Sequence, residues 1–219
     1  MPQPIAMQNK TLLIVPVTII AIALPVYFFW YKPKFIPTKK STNAVHINSN
    51  RLLSKLKGKA EAIQTFAKSK KYNDDLCFLV DMSIESGRNR FFVYDINKDS
   101  ILLSGLVAHG SCDDGFLNKA SFSNTVNSGC SSLGKFKVGN PYNGNFGIAY
   151  KLHGLDSSNS NAFKRFVVLH SYECVPEEET YPVPICNSRG CPMVSPGFME
   201  QLKPFINSSV KPILLWIYK

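Results

Sequence analysis

Phe166-Val167-Val168-Leu169-His170-Ser171 reads as a short buried strand ending on a histidine, and 17 residues separate His170 from the turn Ser188-Arg189-Gly190-Cys191-Pro192. A cysteine after a glycine can present its sulfur from a tight turn. A histidine leaving a buried strand can be held rigidly as its base. Cysteine attacks as the thiolate, which a neighbouring imidazole helps to form, so the two belong together in a nucleophilic site. The intervening loop is long enough to bring them face to face.

Outward from this pair, short β-rich runs follow one another at 77–82, 91–95, 101–107, 146–152, 166–170 and 212–218. Turn-rich stretches such as Ile96-Asn97-Lys98-Asp99 and Asn140-Pro141-Tyr142-Asn143-Gly144 lie between them. One late helix is expected over 196–206, with Ser195 as its N-cap and Pro196 as its first residue. Upstream, Leu52, Leu53, Leu56, Ala60, Ile63, Phe66 and Ala67 recur at helical spacing with lysines between them. This is read as a helix over 51–71 packed on the domain, a membrane-surface helix being the alternative. The fold class is therefore mainly β: an antiparallel, sandwich-like domain at 73–219 with one or two peripheral helices. Neither internal repeats nor heptads are present.

The net charge of +10 suggests a nucleic-acid binder until its distribution is read. Residues 1–72 carry 12 Lys/Arg against the single acid Glu61, whereas residues 73–219 carry 13 basic and 14 acidic residues. The folded part is near neutral, so no nucleic-acid partner is expected. The basic stalk at 32–72 suits an anionic membrane surface or wall polymer, or is a solvated linker. Behind a short tail at 1–10, residues 11–31 hold no charge and are long enough to span a bilayer as a helix, closing on Phe28, Phe29, Trp30 and Tyr31. A cleaved signal peptide ending near Ala21-Ile22-Ala23 is the rival, but the apolar run continues past it, and an uncleaved transmembrane anchor is preferred. Lys32, Lys34, Lys39 and Lys40 after the span outnumber Lys10 before it; a strict positive-inside count would place the C-terminal domain in the cytoplasm, in conflict with an exported catalytic domain.

Neither a phosphate-cradling glycine loop nor an HExxH helix occurs. Among the other histidines, His46 lies in the linker and His153 reads as a strand-end residue. His109, in Val107-Ala108-His109-Gly110-Ser111, leaves an apolar strand before a glycine as His170 leaves its own, and is a candidate for the same cleft. If Cys191 is a free nucleophile, five cysteines remain and at least one more is unpaired. Cys174 and Cys186 bracket the segment 173–187 and could close it as a disulfide, as could Cys112 and Cys130 for the preceding loop. A zinc site from His170, Cys174, Cys186 and Cys191 has suitable ligand types at a spacing that matches no ordinary finger or ribbon, and no metal or cofactor is expected.

From about Cys77 onward the sequence resembles the YkuD-type L,D-transpeptidase catalytic domain, in its murein branch. The resemblance is carried by Leu106-Val107-Ala108-His109-Gly110, Ser131-Ser132-Leu133-Gly134, Leu152-His153-Gly154-Leu155, the Asn161-Ala162 step before Arg165, Val167-Val168-Leu169-His170 and Ser188-Arg189-Gly190-Cys191-Pro192. It implies Cys191 as the acyl-accepting nucleophile, His170 as its general base and Ser171 as the residue whose backbone carbonyl orients that base. It also implies an oxyanion hole from the backbone N–H groups of Arg189, Gly190 and Cys191. His109, Ser188 and Arg189 are the substrate-binding candidates. Arg189 departs from the histidine common at its position, and Met193 from the Asn or Arg often found there. The Glu- and Pro-rich loop at 173–187 is unusual; it could be a lid that reads an acceptor amine, or a solvated surface loop.

The activity implied is peptidoglycan L,D-transpeptidation by a monomeric protein of the bacterial cell envelope, membrane-anchored with its catalytic domain outside the cytoplasm. Cys191 attacks a tetrapeptide stem, D-alanine leaves, and an acceptor amine takes the acyl group. Hydrolysis by an L,D-carboxypeptidase and a non-catalytic wall-binding module are the alternatives.

Overall fold

A computed structural model describes residues 24–27 and 42–219. The tail at 1–10, the expected anchor at 11–31 apart from 24–27, and the linker up to 41 lie outside the described residues. Among those described, no helix is long and apolar enough to cross a membrane. The chain divides into a unit ending at Leu52 and a compact unit, Leu53–Lys219, which carries everything that follows.

Helix α1 (Thr42–Lys70) places Leu56, Ala60, Ile63 and Ala67 on one face, and all four are buried. Their spacing puts them on one stripe of a helix. Nine strands follow: β1 (Leu76–Asp81), β2 (Phe91–Asp95), β3 (Ser100–Gly105), β4 (Val107–Ala108), β5 (Gly134–Gly144), β6 (Gly147–Gly154), β7 (Val168–Ser171), β8 (Met193–Val194) and β9 (Leu214–Tyr218). Helix α2 (Pro196–Asn207) lies between the last two. The Ser195 hydroxyl accepts the Phe198 N–H and Pro196 opens the helix, as its sequence signals.

The strands run in the order β3-β2-β1-β9-β5-β6-β7-β8-β4. Two parallel pairs are added to the expected antiparallel arrangement. The strands form one hydrogen-bonded order, antiparallel except for β1 beside β9 and β7 beside β8. The reason lies in β9, whose Leu-Leu-Trp-Ile-Tyr sequence needs cover on both faces. Inserted between β1 and β5, with Leu79 opposite Trp216 and Phe78 opposite Leu215, it turns Leu215 and Ile217 to the main core and Trp216 to the opposite face.

Alternation along β1 then divides the interior. Phe78 and Val80 join Phe91, Phe136, Leu215 and α2's Phe198 in the main core. The opposite face, with Leu79 and Trp216, is covered by α1. There Lys55 pairs with buried Asp81 at 2.7 Å and Lys59 lies over the Trp216 ring at 4.3 Å. The lysines between the apolar positions of α1 thus hold the helix to the sheet.

Strand β5 is a second departure, because Gly139, Asn140 and Pro141 read as turn residues. An irregularity between Val138 and Pro141 in the pairing with β6 accommodates them within the strand. The turn moves to Asn145-Phe146, at the tip of the β5–β6 hairpin, where Gly147 takes a positive φ of 82°.

Candidate active site

The position of Cys191 follows from strand register. β8 runs parallel to β7 with His170 beside Met193, so two residues earlier in each strand Cys191 falls next to Val168. The Val168 N–H points to Cys191 Sγ at 3.5 Å, and the thiol donates to the Phe166 carbonyl at 3.8 Å. The preceding turn is tied by Ser188, whose hydroxyl accepts the Gly190 N–H at 3.1 Å and donates to the Cys191 carbonyl at 2.6 Å. Gly190 has φ 108°, and a Cβ there would stand 2.6 Å from the Cys130 carbonyl oxygen, so the turn admits only glycine.

His170 is buried at the end of β7, and its Nδ1 lies 3.1 Å from the Ser171 carbonyl oxygen. A carbonyl only accepts, so Nδ1 carries the hydrogen and Nε2 of the neutral ring keeps its lone pair. Phe146, at the hairpin tip, stacks on the imidazole with centroids 5.4 Å apart, and Tyr172 meets Phe146 edge-on at 5.1 Å. Burial lowers the His170 pKa, partly offset by the Ser171 carbonyl. Burial raises that of Cys191, opposed by the Val168 N–H and the Arg165 charge. The resting pair is therefore a neutral thiol and a neutral imidazole, with the proton to be passed during attack. Both side chains line one open cleft of about 720 Å³, together with Tyr142, Phe146, Phe166 and Arg189.

Cys191 and Cys77 are the unpaired cysteines, and Cys77 is fully buried with its pKa raised by that burial. Iodoacetamide is therefore expected to label Cys191 alone in the folded protein. The rate should climb as pH rises past the ordinary thiol value of 9.0, since the thiolate is the reactive form and its pKa is raised. Peptide mass mapping over a pH series checks this, and substantial labelling at Cys77 would contradict it.

Of the substrate-binding candidates, Arg189 lies exposed at the cleft. His109 is fully buried and does not line the cleft. Its Nδ1 accepts from Arg90 Nη2 at 2.9 Å, and its Nε2 donates to the Leu117 carbonyl at 3.1 Å. Burial and the Arg90 charge hold its pKa down at about 4. Ser188 lines the cleft, and its hydroxyl bonds the Gly190 N–H and the Cys191 carbonyl within its own turn. The Gly190 N–H, one of the three expected oxyanion-hole donors, is given to the Ser188 hydroxyl at 3.1 Å.

Cys112–Cys130 and Cys174–Cys186 are disulfide-bonded, which takes two of the four ligands from the zinc alternative. The 173–187 segment is largely exposed but anchored at several points. Val175 and Ile185 pack with Leu106, Ala108 and Met193. Glu177 accepts from the Ser195 hydroxyl and the Gly197 N–H at the start of α2, where the helix dipole favours an anion. Glu179 accepts the Asn89 N–H.

Two residues at the site were not singled out from sequence. Arg165 donates through Nη1 to the Ser123 carbonyl at 2.8 Å, through Nη1 to the Ser132 hydroxyl and through Nη2 to the Cys130 carbonyl, which sets its positive charge behind Gly190-Cys191. Its position after Asn161-Ala162 was the available signal. Phe146 carries none beyond being an aromatic between Gly144 and Gly147.

Fold and cleft together define a domain in which a parallel strand pair brings a thiol and an imidazole into one cleft. The chain belongs to the L,D-transpeptidase catalytic domain family, which it matches over residues 48–218. No curated protein matches it. Among solved structures, the Ldtfm–avibactam carbamoyl enzyme aligns with TM-score 0.42 and 14% identity, covering 67% of this chain and 50% of its own. An L,D-transpeptidase from Mycobacterium smegmatis aligns with TM-score 0.40 and 11% identity, over 66% of this chain and 59% of its own. The helical cell shape determining protein from Campylobacter jejuni gives TM-score 0.41 and 11% identity, over 66% and 47%. The chain thus spans about half the length of these structures.

Proposed function

We propose that the protein is a peptidoglycan L,D-transpeptidase of the bacterial cell envelope, working through an acyl-enzyme on Cys191. The observation that carries this reading is the Ser171 carbonyl bond to His170 Nδ1, which leaves Nε2 as a base in the same cleft as the Cys191 thiol. The thiol proton passes to Nε2 as sulfur attacks the carbonyl of the third, L-centre-bearing residue of a tetrapeptide stem. Charge develops on the carbonyl oxygen, where the Arg189 and Cys191 amides act as donors. The imidazolium then protonates the leaving amine, D-alanine departs, and a thioester remains. An acceptor amine gives a proton to His170, displaces sulfur and restores the thiol.

Two disulfides in the catalytic unit support an oxidising, exported location, with the apolar 11–31 segment as the membrane anchor. Mixing the purified protein with disaccharide-tetrapeptide should give a covalent adduct on Cys191, seen by mass spectrometry as the donor mass less D-alanine. Crosslinked products identify a transpeptidase, and disaccharide-tripeptide without crosslinks identifies a carboxypeptidase. Binding without any adduct would instead identify a wall-binding module.

A further inference from the structure

Phe166 occupies a backbone position that does not suit it. The turn before β7 ends with the Val167 N–H donating to the Ala162 carbonyl and the Phe166 N–H to that of Phe163. This is the bonding pattern of a helix-terminating Schellman motif, whose left-handed residue is usually glycine. Here that residue is Phe166, at φ 54°. A Cβ in the left-handed region meets the following carbonyl oxygen, so an aromatic side chain there lowers stability relative to glycine. Its ring gives little back in packing, being 83% exposed.

Phe166 nevertheless sits beside the Cys191 thiol, through its backbone carbonyl. The Phe166 carbonyl accepts the Cys191 thiol at 3.8 Å, and Phe166 lines the cleft shared by Cys191 and His170. Any acyl group carried on that sulfur must lie alongside it. Tyr142 and Phe146, both partly exposed, line the same cleft. A strained backbone and an exposed ring beside a nucleophile are both accounted for if the ring contacts the ligand.

We infer that Phe166 is a specificity-determining residue whose ring packs on the aliphatic side chain of the acyl donor's third residue while Cys191 attacks that residue's carbonyl. This rests on the donor chemistry proposed above. Apolar contact on an exposed ring gains free energy only once the donor is bound. The position is therefore one where stability and activity oppose each other.

The test compares the full-length wild type with Phe166→Gly, Phe166→Ala and Phe166→Tyr. Three quantities are read: melting temperature, the rate of Cys191 acylation by disaccharide-tetrapeptide, and the rate of Cys191 alkylation by iodoacetamide. Phe166→Gly should melt about 2–4 °C higher yet acylate on the order of tenfold more slowly. Phe166→Ala should lose acylation equally, with a smaller rise in melting temperature because it keeps a Cβ. Phe166→Tyr should stay within about threefold of wild type. Alkylation should be the same in all four, which separates donor contact from damage to the thiol's surroundings. The inference is overturned if Phe166→Gly and Phe166→Ala acylate within about twofold of wild type, if alkylation falls in step with acylation, or if Phe166→Gly melts lower. A wild type that is alkylated but never acylated overturns the transpeptidase reading itself, and this inference with it.

Discussion

His170→Ala is expected to acylate about 10²–10⁴-fold more slowly than wild type, the usual contribution of a positioned general base. The neutral thiol makes the loss large. Burial raises the Cys191 pKa, so at neutral pH little thiolate exists unless a base removes the proton during attack. The same change should alter the pH profile. Imidazolium cannot accept a proton, so the wild-type rate falls as pH drops through the His170 pKa. Burial has moved that pKa below the ordinary 6.5, so the acidic limb lies below pH 6.5 and activity persists through the neutral range. In His170→Ala that limb should vanish, leaving a slow rate that climbs with thiolate formation in the alkaline range. Cys191→Ala removes the adduct altogether and serves as the zero. Stopped-flow or quenched mass spectrometry at a series of pH values gives both readings. A His170→Ala rate within tenfold of wild type, with its acidic limb intact, would show that another group is the base.

Much of the fold was open to a sequence reading where a local rule decides the structure. Ser195-Pro196 sets the start of α2, and the Leu56-Ala60-Ile63-Ala67 stripe sets the buried face of α1. Phe91–Asp95 is the strand its composition suggests. What escaped depends on partners distant in the chain. β5 holds Gly139-Asn140-Pro141 in a strand because β6 and β9 supply neighbours, and the parallel seat of β9 beside β1 is a tertiary choice. The site divides in the same way. Cys191 and His170 share a cleft because β7 and β8 pair in one register, and their spacing allowed for that. His109 and His170 both end apolar strands and look alike in sequence. Their difference lies in what surrounds them: one meets Arg90 and the Leu117 carbonyl in the interior, the other meets Phe146 and open space. The bonds of the Ser188 hydroxyl within its own turn were likewise not legible, because they depend on the turn's folded geometry.

The Arg90–His109 pair leads to the largest stability change expected. Arg90 is buried, and Nε and Nη2 donate to the Val107 carbonyl at 2.9 and 2.7 Å. Nη1 reaches the Ile84 carbonyl at 3.2 Å, and Nη2 also reaches His109 Nδ1. Burial lowers the guanidinium pKa to about 10, with Asp81 opposing the shift, so it stays charged at neutral pH. Replacing it with methionine keeps the apolar stem but leaves the buried Val107 carbonyl and His109 Nδ1, and the part-buried Ile84 carbonyl, without this donor. Each such group costs about 1–3 kcal/mol, so Arg90→Met should lose on the order of 4 kcal/mol. In a domain of this size that lowers the melting temperature by about 10 °C. The pH dependence supplies a second reading. Buried neutral His109 has a folded pKa of about 4, below its unfolded 6.5, so the unfolded chain takes up the proton first. Wild-type stability should therefore fall as pH drops from 6.5 towards 4. Removing Arg90 takes away a like charge, raises the folded pKa of His109 and makes that fall shallower. Urea unfolding of both proteins at pH 7 and pH 5 measures the two effects together. A variant as stable as wild type at pH 7 would mean that water or rearranged backbone satisfies Val107 and Ile84, and that the guanidinium is not what joins β2 to β4 behind the active-site cleft.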